Sequence, residues 1–442
     1  MHDFTRRGVF AIGAGLFGAA AIGRPARSAV PAADVEPPKH PIEKDAALRV
    51  ARPVKFIAPD EAIWNENTAR FTRATGVPVR VDYVGWEDLR PQTAVTANTG
   101  AGPDIVCGWA DDPQLYAGKL IDMSEVADYL GRKYGGWKFQ ARLFGRKWES
   151  DDWVALPIGG GIGPCNYRTS WVREAGYDAI PTDLDGFLDL CRKLKRIGHP
   201  AGFALGNAVG DANGYANWLL WTHGAYVVED DGRVAINRPE TIEALKYAKA
   251  MQETFIPGTL SWLDPSNNKA FLSGDIAMTQ NGVSIYFVAK NDPKTQAIAE
   301  DMNHAPMPLG NAHSPPEAPL ILNGMAFRHT KFPNAAKEYL RFMLEADQYE
   351  PWLNACLGYW GHQLKAYDQA AVWTGDPKVR IFKDAGDREY WTGYKGPISA
   401  ASGAVAANYV TVHMFAAVAS GQATPEDAAI EAERQAKRYY KG

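Results

Sequence analysis

Short apolar runs alternate with amphipathic stretches along the first part of the chain. Residues 54–58 form one apolar run, 77–84 alternate between apolar and polar positions, and 104–107 form a third short run. The segments between these runs place apolar residues at helical spacing, and the first of them ends near Gly76, a suitable C-cap. Strands that alternate with helices build parallel sheets, so this region predicts a doubly wound α/β layer.

The same alternation continues in a second block that begins near Pro157. Thr182 and Asp183 are suitable N-cap residues for a helix that runs to Ile197. The remaining pattern predicts strands at 201–205, 276–279 and 320–327 and helices at 239–255, 334–344 and 425–440. The chain is therefore predicted to be α/β throughout.

Composition bounds the class of protein. A length of 442 residues predicts two or three domains. The hydrophobic fraction of 46% and charged fraction of 22% exclude wholesale disorder, a collagen-like fibre and a polytopic membrane protein. A net charge of −4 argues against a broad nucleic-acid-binding face. The 14 tryptophans are an excess that favours flat platforms lining a groove.

The N-terminus has the pattern of an export signal. The Arg6-Arg7 pair precedes the uncharged, apolar run 11–23, which as a helix would span about 20 Å, too short for a bilayer core of about 30 Å. We predict a twin-arginine-like signal over 1–28, with an ordinary secretory signal as the alternative. The Pro-rich residues 29–50 are predicted to be a flexible leader. The mature protein is expected to be soluble and periplasmic, outside the cytoplasm.

Acids and tryptophans recur where the first three predicted strands end. In doubly wound sheets, ligands bind beyond the carboxyl ends of the strands. The residues at these positions are Asp60 and Glu61, Trp86 and Glu87, and Trp109, Asp111 and Asp112. An indole can cover the apolar face of a sugar while a carboxylate accepts hydrogen bonds from its hydroxyls. Their alternative role is structural, as packed rings and helix-capping acids.

A set of short motifs occurs in the order of a known family. Gly76-Val77-Pro78-Val79 precedes the second strand, Pro103-Asp104-Ile105 opens the third, and Trp109-Ala110-Asp111-Asp112 follows it. Further along lie Leu156-Pro157, Asn166-Tyr167-Arg168, Ala270-Phe271 with Ala277-Met278, Asn281-Gly282 and Ser420-Gly421. The chain resembles the family 1 extracellular solute-binding proteins of ABC importers, which have the fold of maltose-binding protein. The resemblance covers nearly all of 52–440.

The resemblance implies a type II periplasmic binding protein fold with two α/β lobes, each a doubly wound mixed sheet flanked by helices. The N-terminal lobe is expected to comprise 51–156 and 306–362, and the C-terminal lobe 157–305 and 363–442. A solute would bind in the cleft between them, and the closed form would dock on a membrane permease. The resemblance implies a monomer with no catalytic residues and no cofactor.

The resemblance also implies site residues. The family's sugar-binding Trp and Asp correspond to Trp109 and Asp112. Gly160 and Gly161 follow the first hinge and would present backbone N–H groups, while Asn207, Gln280, Asn281, Ser284 and Trp360 are candidate contacts. Gly161 and Ser284 stand where the maltose type has Glu and Trp, and its platform Trp falls near Tyr409. A small cargo is therefore expected: a monosaccharide, a polyol or a sugar derivative.

Three alternatives remain open at this point. The acid-rich strand ends would suit a cationic solute such as a polyamine, and the glycines a sugar phosphate or sulfonate. An exported carbohydrate-active enzyme with two carboxylates is the third. The sequence contains no HExxH motif, no GxSxG elbow and no P-loop, and its histidines lack metal-ligand spacing. Cys107, Cys165, Cys191 and Cys356 lack CxxC spacing, and one disulfide among them stays open.

Overall fold

Two β-sheets organise the chain in the computed structural model, which describes residues 30–148, 150–318 and 320–441. The strands are β1 (Leu48–Pro53), β2 (Val79–Val84), β3 (Ile105–Gly108), β4 (Leu156–Gly161), β5 (Cys165–Arg168), β6 (Met278–Gln280), β7 (Met302–Ala305) and β8 (Leu320–Ala326). The larger sheet has the order β2-β1-β3-β8-β4, and the smaller has the order β6-β5-β7. We call the elements packed on the larger sheet the first lobe and those on the smaller sheet the second lobe.

The larger sheet is mixed. β1 pairs in parallel with β2 and β3, whereas β8 runs antiparallel between β3 and β4. The smaller sheet is antiparallel, because β5 pairs in that sense with both β6 and β7. The late strand β8 enters the sheet built by the first third of the chain, so the chain crosses between the lobes more than once.

Helices flank both sheets. In chain order they are α1 (Ala58–Thr75), α2 (Trp86–Thr99), α3 (Asp112–Tyr116), α4 (Ser124–Lys133), α5 (Phe139–Gly145), α6 (Thr169–Glu174), α7 (Leu184–Arg196), α8 (Asp211–Thr222), α9 (Pro239–Gln252), α10 (Asp264–Leu272), α11 (Ser284–Asn291), α12 (Gln296–Asp301), α13 (Pro333–Met343), α14 (Ala346–Ala355), α15 (Val372–Gly375), α16 (Ala400–Ala407), α17 (Val410–Ala419) and α18 (Pro425–Tyr439). Short 3₁₀ helices cover Ala117–Lys119, Thr259–Ser261, Lys365–Gln369 and Arg380–Asp387.

Local capping chemistry sets several helix ends. Gly76 adopts φ 77° after α1 and donates its N–H to the carbonyl of Thr72, as predicted for a C-cap. Asp183 accepts the N–H of Gly186 at the start of α7, so the predicted N-cap is also confirmed. The predicted strand 201–205 is reduced to bridges from Ala201 to Phe255 and Met278, because this segment pairs with neighbours at only one residue.

The hydrophobic interior forms two main clusters. The first surrounds the larger sheet, with Val50, Ile105 and Leu322 among its buried members, and extends to α10, α11 and β7 through Phe271, Ile285 and Met302. The second packs α7, α8, α9, α17 and α18 together, with Leu219 and Phe415 fully buried. The stretch Ala400–Ala419 has the length and apolar composition of a membrane span, but 56% of that window is buried inside the fold and Asn408 interrupts it. These residues serve as core.

Two predicted lobe boundaries can be compared with the packing. Residues 364–385 are predicted to belong to the C-terminal lobe; Leu364, Tyr367, Trp373 and Phe382 pack in the first cluster, and the Phe382 ring also lies 4.9 Å from that of His304 in β7. This segment therefore contacts both lobes. The first lobe also begins earlier than residue 51, since β1 starts at Leu48. The export signal predicted over 1–28 lies outside the described residues.

The segment 30–47, predicted as a flexible leader, lies along the first lobe. The N–H of Ala33 donates to the carbonyl of Lys133, and the Glu43 carboxylate accepts the N–H groups of Asn334 and Ala335. His40 lies 2.9 Å from Glu338 through Nδ1. Prolines favour extended backbone, and here the extended chain finds hydrogen-bond partners on the lobe surface. The segment predicted to be a flexible leader thus has hydrogen-bond partners on the first lobe.

Arg52 and Asp60 form an ion pair inside the first lobe. Nη2 of Arg52 donates to both carboxylate oxygens of Asp60 at 2.8 Å, and the two residues are 0% and 1% exposed. The guanidinium also lies 4.5 Å from the Trp64 ring centroid. Burial works to lower the pKa of Arg52, but the charge and hydrogen bond of Asp60 raise it above its usual value. Asp60 therefore balances a buried charge, and it does not line the cavity described below.

We predict that Asp60→Asn lowers the free energy of unfolding by about 3–5 kcal/mol, because it leaves the Arg52 charge buried without compensation. Urea denaturation followed by circular dichroism measures the change. The matched control is Glu66→Gln on the same helix, which breaks a pair with Arg73 whose side chains are 62% and 63% exposed. That variant should change stability by less than about 1 kcal/mol. Equal effects of the two substitutions would contradict the structural role of Asp60.

Candidate functional site

A cavity lies between the two lobes, with an empty volume of about 700 Å³ that includes the open solvent at its mouth. The first lobe contributes aromatic rings to its wall, and the second contributes acids, amides and a hydroxyl. The lining residues are Phe56, Trp86, Gly161, Ile162, Gly163, Gly210, Asp211, Gly214, Asp264, Asn268, Gln280, Asn281, Gly282, Ser284, Ala318, Leu320, Tyr359 and Trp360. Six of the predicted site residues are among them: Trp86, Gly161, Gln280, Asn281, Ser284 and Trp360.

Stacked aromatic rings build the first-lobe wall of the cavity. Trp86 stacks on Trp360 with centroids 6.0 Å apart and an interplanar angle of 12°, and Phe56 meets Trp86 edge-on at 4.8 Å. Nε1 of Trp86 donates to the carbonyl of Val54 at 2.9 Å, which fixes the ring at the N-terminus of α2. Such a wall presents flat apolar surface to a solute.

Trp109 lies behind this wall and does not line the cavity. Its ring is 4.7 Å from that of Trp86, and the residue is 0% exposed. The prediction placed Trp109 in contact with a sugar, whereas the ring that lines the cavity is that of Trp86, which follows the earlier strand β2. Trp109 follows β3 directly, so its side chain enters the core between the sheet and α2, where apolar burial stabilises it.

Asp112 is also buried, at 0% exposure. Its Oδ2 accepts the N–H of Trp109 at 2.8 Å, and its Oδ1 accepts from Nε of Arg90 at 2.9 Å. The carboxylate thus closes the turn after β3 and neutralises Arg90. Those contacts occupy both oxygens, so the structure gives Asp112 a structural role in place of the predicted contact with solute hydroxyls.

Asp111 is buried where the two lobes meet. α3 packs against α16, and a Cβ built on Gly403 would lie 3.1 Å from the Cβ of Asp111. Burial raises the pKa of the Asp111 carboxyl from 3.8 to about 6; the Arg90 charge opposes this shift and the Asp112 charge adds to it. Asp111 lies outside the cavity lining. It belongs to a polar contact between the lobes.

The glycine segment after the first hinge divides into packed and cavity-facing residues. Gly160 exchanges hydrogen bonds with Gly361, each N–H donating to the other carbonyl at 2.7 Å. A Cβ on Gly160 would lie 2.5 Å from Cδ1 of Ile321, so Gly160 is buried in the crossover and is not the predicted contact. A Cβ on Gly161 would meet only the carbonyl of Tyr359, at 3.6 Å. Gly161 therefore leaves open space in the cavity.

Amide side chains form a connected network on the second-lobe wall. Nδ2 of Asn281 donates to Oδ1 of both Asn267 and Asn268. Nδ2 of Asn268 donates to the hydroxyl of Ser284 at 3.0 Å, and Nδ2 of Asn267 donates to the carboxylate of Asp211 at 2.7 Å. Satisfied polar networks of this kind hold side chains in fixed orientations.

Asp264 anchors the N-terminus of α8 at the cavity. Its Oδ1 accepts the N–H groups of Gly210 at 3.0 Å and Asp211 at 2.9 Å, and its Oδ2 accepts that of Val209 at 2.7 Å. Burial raises the pKa of Asp264 to about 6, against the lowering effect of these three N–H donors. Burial and the neighbouring charge of Asp264 raise the pKa of Asp211 well above its usual value.

The sequence predictions missed eight lining residues with side chains: Phe56, Ile162, Asp211, Asp264, Asn268, Ala318, Leu320 and Tyr359. Asp264 precedes Pro265 at a helix start, which is a local signal for a capping acid but not for a cavity. Asp211 follows Gly210, where a helix N-terminus could have been predicted. No local sequence pattern identifies the other missed residues, because they come from distant segments of the chain and meet only in the folded protein.

The other predicted residues lie outside the lining. Glu61 pairs with Lys55 at the surface of the first lobe, and the exposed Asn207 lies 3.0 Å from Nε2 of His413. Tyr409 and Glu87 lie close enough to the cavity to interact electrostatically with Asp264, which lines it. Burial raises the pKa of Tyr409 to about 12. Oε1 of Glu87 is buried without a hydrogen-bond partner.

The comparison with known families decides the class of this chain. Residues 67–381 match the model of the bacterial extracellular solute-binding proteins. The chain belongs to this family. The predicted resemblance is thereby confirmed, since maltose-binding proteins with the two-lobe periplasmic fold are among the similar structures.

This solute-binding protein is similar to a protein of Escherichia coli named as the ABC transporter periplasmic-binding protein YcjN. The two are 21% identical over 358 residues, 75% of this chain and 80% of that protein. A sugar transporter structure from Arthrobacter chlorophenolicus with bound laminaribiose gives a TM-score of 0.75 at 18% identity, covering 89% of this chain and 99% of the other. A solute-binding protein of Agrobacterium radiobacter in complex with ribitol gives 0.73 at 17%, covering 89% and 98%. These structures share the two-lobe fold.

Neither a cysteine nor a histidine is among the described residues that line the cavity. Among residues 30–148, 150–318 and 320–441, no group of three or more His, Cys, Asp and Glu side chains is placed to hold a metal ion. Cys107, Cys165, Cys191 and Cys356 are all free and buried, so the disulfide left open by the sequence is not formed. The cleft therefore offers rings, acids and amides as its recognition groups.

We predict that Trp109→Ala lowers the free energy of unfolding by about 3–5 kcal/mol, because it opens a void behind Trp86. Urea unfolding measures the change in the ligand-free protein. Trp148→Ala is the control, since Trp148 is 39% exposed and far less of its ring is removed from water; it should lose under about 1 kcal/mol. A Trp109→Ala protein as stable as the Trp148→Ala protein would mean that the Trp109 ring does not belong to the core.

We predict that Asp111→Asn stabilises the protein above pH 6 and leaves its stability unchanged near pH 4. The native carboxyl holds its proton to about pH 6, whereas the unfolded chain releases it near pH 4, so wild-type stability falls as pH rises between these values. A shift of about two pKa units corresponds to a gain of up to about 3 kcal/mol at pH 7.5.

Urea midpoints measured from pH 4 to 7.5 test the effect of Asp111→Asn. Asp178→Asn, at an exposed position, is the control and should follow the wild-type pH profile. A stability difference between Asp111→Asn and wild type that stays constant across this range would show that Asp111 titrates normally.

Proposed function

We propose that this protein is the substrate-binding component of an ABC importer and captures a small carbohydrate, polyol or sugar derivative. The observation that carries the proposal is the cavity between the lobes, where stacked Trp86 and Trp360 face a wall of acids and amides. Sugar rings and polyols present apolar C–H faces together with a rim of hydroxyls. The rings cover the former, and the polar groups bind the latter.

The size of the cargo follows from the residues that narrow or open the cavity. Gly161 and Ser284 leave space in the lining without adding a platform for a longer chain, which supports a solute of one or two sugar rings or a linear polyol. Similar structures contain laminaribiose, ribitol, D-mannitol and α-D-tagatose, which are of this size, whereas others contain acarbose or are named for cyclic α-maltosyl-1,6-maltose. The size assignment therefore rests on the lining residues of this chain.

We extend the proposal to export of the chain, closure of the lobes and docking on the permease. The predicted signal over 1–28 would export the chain to the periplasm by the twin-arginine route, where it would work as a monomer. Closure of the two lobes around the solute would create the surface that docks on the permease subunits. We propose a first lobe of 51–156 and 306–362, extended back to Leu48 where β1 begins, and a second lobe of 157–305 and 363–442.

A panel of solutes tests this function. The purified protein is mixed with ribitol, D-mannitol, D-tagatose, glucose, laminaribiose and maltotriose, and its melting temperature and calorimetric Kd are measured. At least one mono- or disaccharide or polyol should bind more tightly than maltotriose and be recovered unaltered by mass spectrometry. Tighter binding of maltotriose would overturn the size assignment. Cleavage of any panel member would favour the exported carbohydrate-active enzyme.

We predict that Gly161→Leu abolishes binding of the tightest panel member, with at least a 100-fold weaker Kd, but leaves the fold intact. The new side chain enters the cavity, since a Cβ there meets only the Tyr359 carbonyl at 3.6 Å. Gly118→Leu is the matched control, because a Cβ at Gly118 has no neighbour within 4 Å and the residue lies outside the lining. Calorimetry on both variants measures the effect. Unchanged binding by Gly161→Leu would place the solute elsewhere.

A further inference from the structure

We propose that the solute carries a protonated amine on its hydroxylated skeleton, as in an amino sugar or amino polyol. This inference rests on the proposed function and names the solute class of the same cavity. It follows from the charges in the lining, from the unpaired hydrogen-bond acceptors that face it, and from the aromatic wall.

The lining is acidic and carries no compensating cation. Asp211 and Asp264 both line the cavity, and none of its described lining residues is Lys, Arg or His. Two buried cations of the first lobe are already paired: Arg90 with Asp112 at 2.9 Å and Arg52 with Asp60 at 2.8 Å. A neutral or anionic solute would leave Asp211 without a positive partner, which is unfavourable in a closed cleft.

Asp211 is the acid that remains for the solute. The Asp264 carboxylate accepts three backbone N–H groups at the start of α8, which satisfy it from the protein side. Asp211 accepts one hydrogen bond, from Asn267. Burial and the charge of Asp264 hold the pKa of Asp211 well above its ordinary value. An ammonium group placed between the two acids would remove this repulsion.

Gln280 gives an independent indication that the solute donates hydrogen bonds. The residue is 5% exposed and lines the cavity, and its Oε1 has no hydrogen-bond partner. A Cβ on Gly163 would lie 2.9 Å from Cγ of Gln280, and one on Gly214 would lie 3.9 Å from Oε1. These two glycines make room for the amide at the cavity surface. A buried acceptor without a partner is unfavourable until a ligand donor reaches it.

The donors in the lining are largely used within the protein. Nε1 of Trp86 donates to Val54, and the amides of Asn268 and Asn281 donate within their own network. Two buried side-chain atoms of lining residues have no partner, the acceptor Oε1 of Gln280 and the donor Nε1 of Trp360, and Asp211 adds acceptor capacity. An ammonium group supplies up to three donors, whereas a hydroxyl both donates and accepts. A solute with an amine for Gln280 and Asp211 and a hydroxyl oxygen for Trp360 therefore matches these positions.

The aromatic wall suits the same group. Phe56, Trp86, Tyr359 and Trp360 line the side opposite the acids. A cation next to aromatic faces gains electrostatic attraction when it is removed from water. The amide network at Asn268, Asn281 and Ser284 provides neutral polar positions for hydroxyl groups. A hydroxylated skeleton with one amine can contact both the aromatic rings and the amide network, whereas a simple polyamine has no hydroxyl groups to bind the network.

Matched pairs of solutes test the charge directly. Calorimetric Kd values are measured at pH 7 for D-glucosamine against D-glucose, and for N-methyl-D-glucamine against D-sorbitol, with D-glucuronate and spermidine as further arms. In at least one pair the amine should bind at least 10-fold more tightly than its neutral partner, and D-glucuronate should bind more weakly than glucose. Loss of one unit of charge pairing in a desolvated site has an effect of this order or larger.

A variant locates the effect. Asp211→Asn keeps the shape of the side chain and should lower the ratio of the neutral-partner Kd to the amine Kd by at least 10-fold. Asp231→Asn is the control, because that side chain is 69% exposed and lies outside the cavity. Its melting temperature and its preference should match those of the wild type.

Each outcome separates the two proposals. Neutral sugars or polyols that bind as tightly as their amines would overturn the inference of a charged solute and leave the proposed function standing. Spermidine that binds more tightly than every hydroxylated amine would overturn the hydroxylated skeleton. If no compound of either panel binds, both the inference and the proposed function fail.

Discussion

The contact between three tryptophan rings is the constraint on which the cleft depends. Trp109 follows β3, Trp86 opens α2, and Trp360 comes from the late crossing of the chain, so one stack joins three distant parts of the sequence. Close packing allows little adjustment in such a stack. The buried ring of Trp109 determines how far the Trp86 ring can move into the core. The Trp86 ring in turn determines the position of the first-lobe wall of the cavity. The solute then meets a surface whose position is determined by the core.

The second-lobe wall depends on a different kind of contact. Asp264 at the start of α10 accepts three backbone N–H groups at the start of α8, and so joins two helix N-termini through one carboxylate. The partial positive charge of these N-termini stabilises the carboxylate. This arrangement also brings Asp211 and Asn267 together. Packed aromatic rings on the first-lobe side give the cavity its shape. Hydrogen-bonded acids on the second-lobe side make it acidic.

The sequence was sufficient for the family, the α/β alternation and several helix ends, because these follow from local periodicity and capping chemistry, as at Gly76 and Asp183. It was less informative about the cleft. The pattern identified Trp86 and Trp109 equally well as strand-end tryptophans, but which ring faces the solute depends on how α2 packs over β3. Asp112 has the residue type of a ligand contact, yet Arg90 and the N–H of Trp109 occupy it. Asp211 and Asp264 are 53 positions apart and meet only after folding.

The four buried cysteines have a consequence for how the molecule is observed. Cys107 and Cys356 belong to the first hydrophobic cluster, whereas Cys165 and Cys191 belong to the second. Burial raises the pKa of all four thiols, so each stays protonated and unreactive while its cluster is packed. Modification by a thiol reagent therefore requires local or global opening of that cluster. The labelling rate of each pair therefore reports how often its own cluster opens, and the measurement needs no engineered probe.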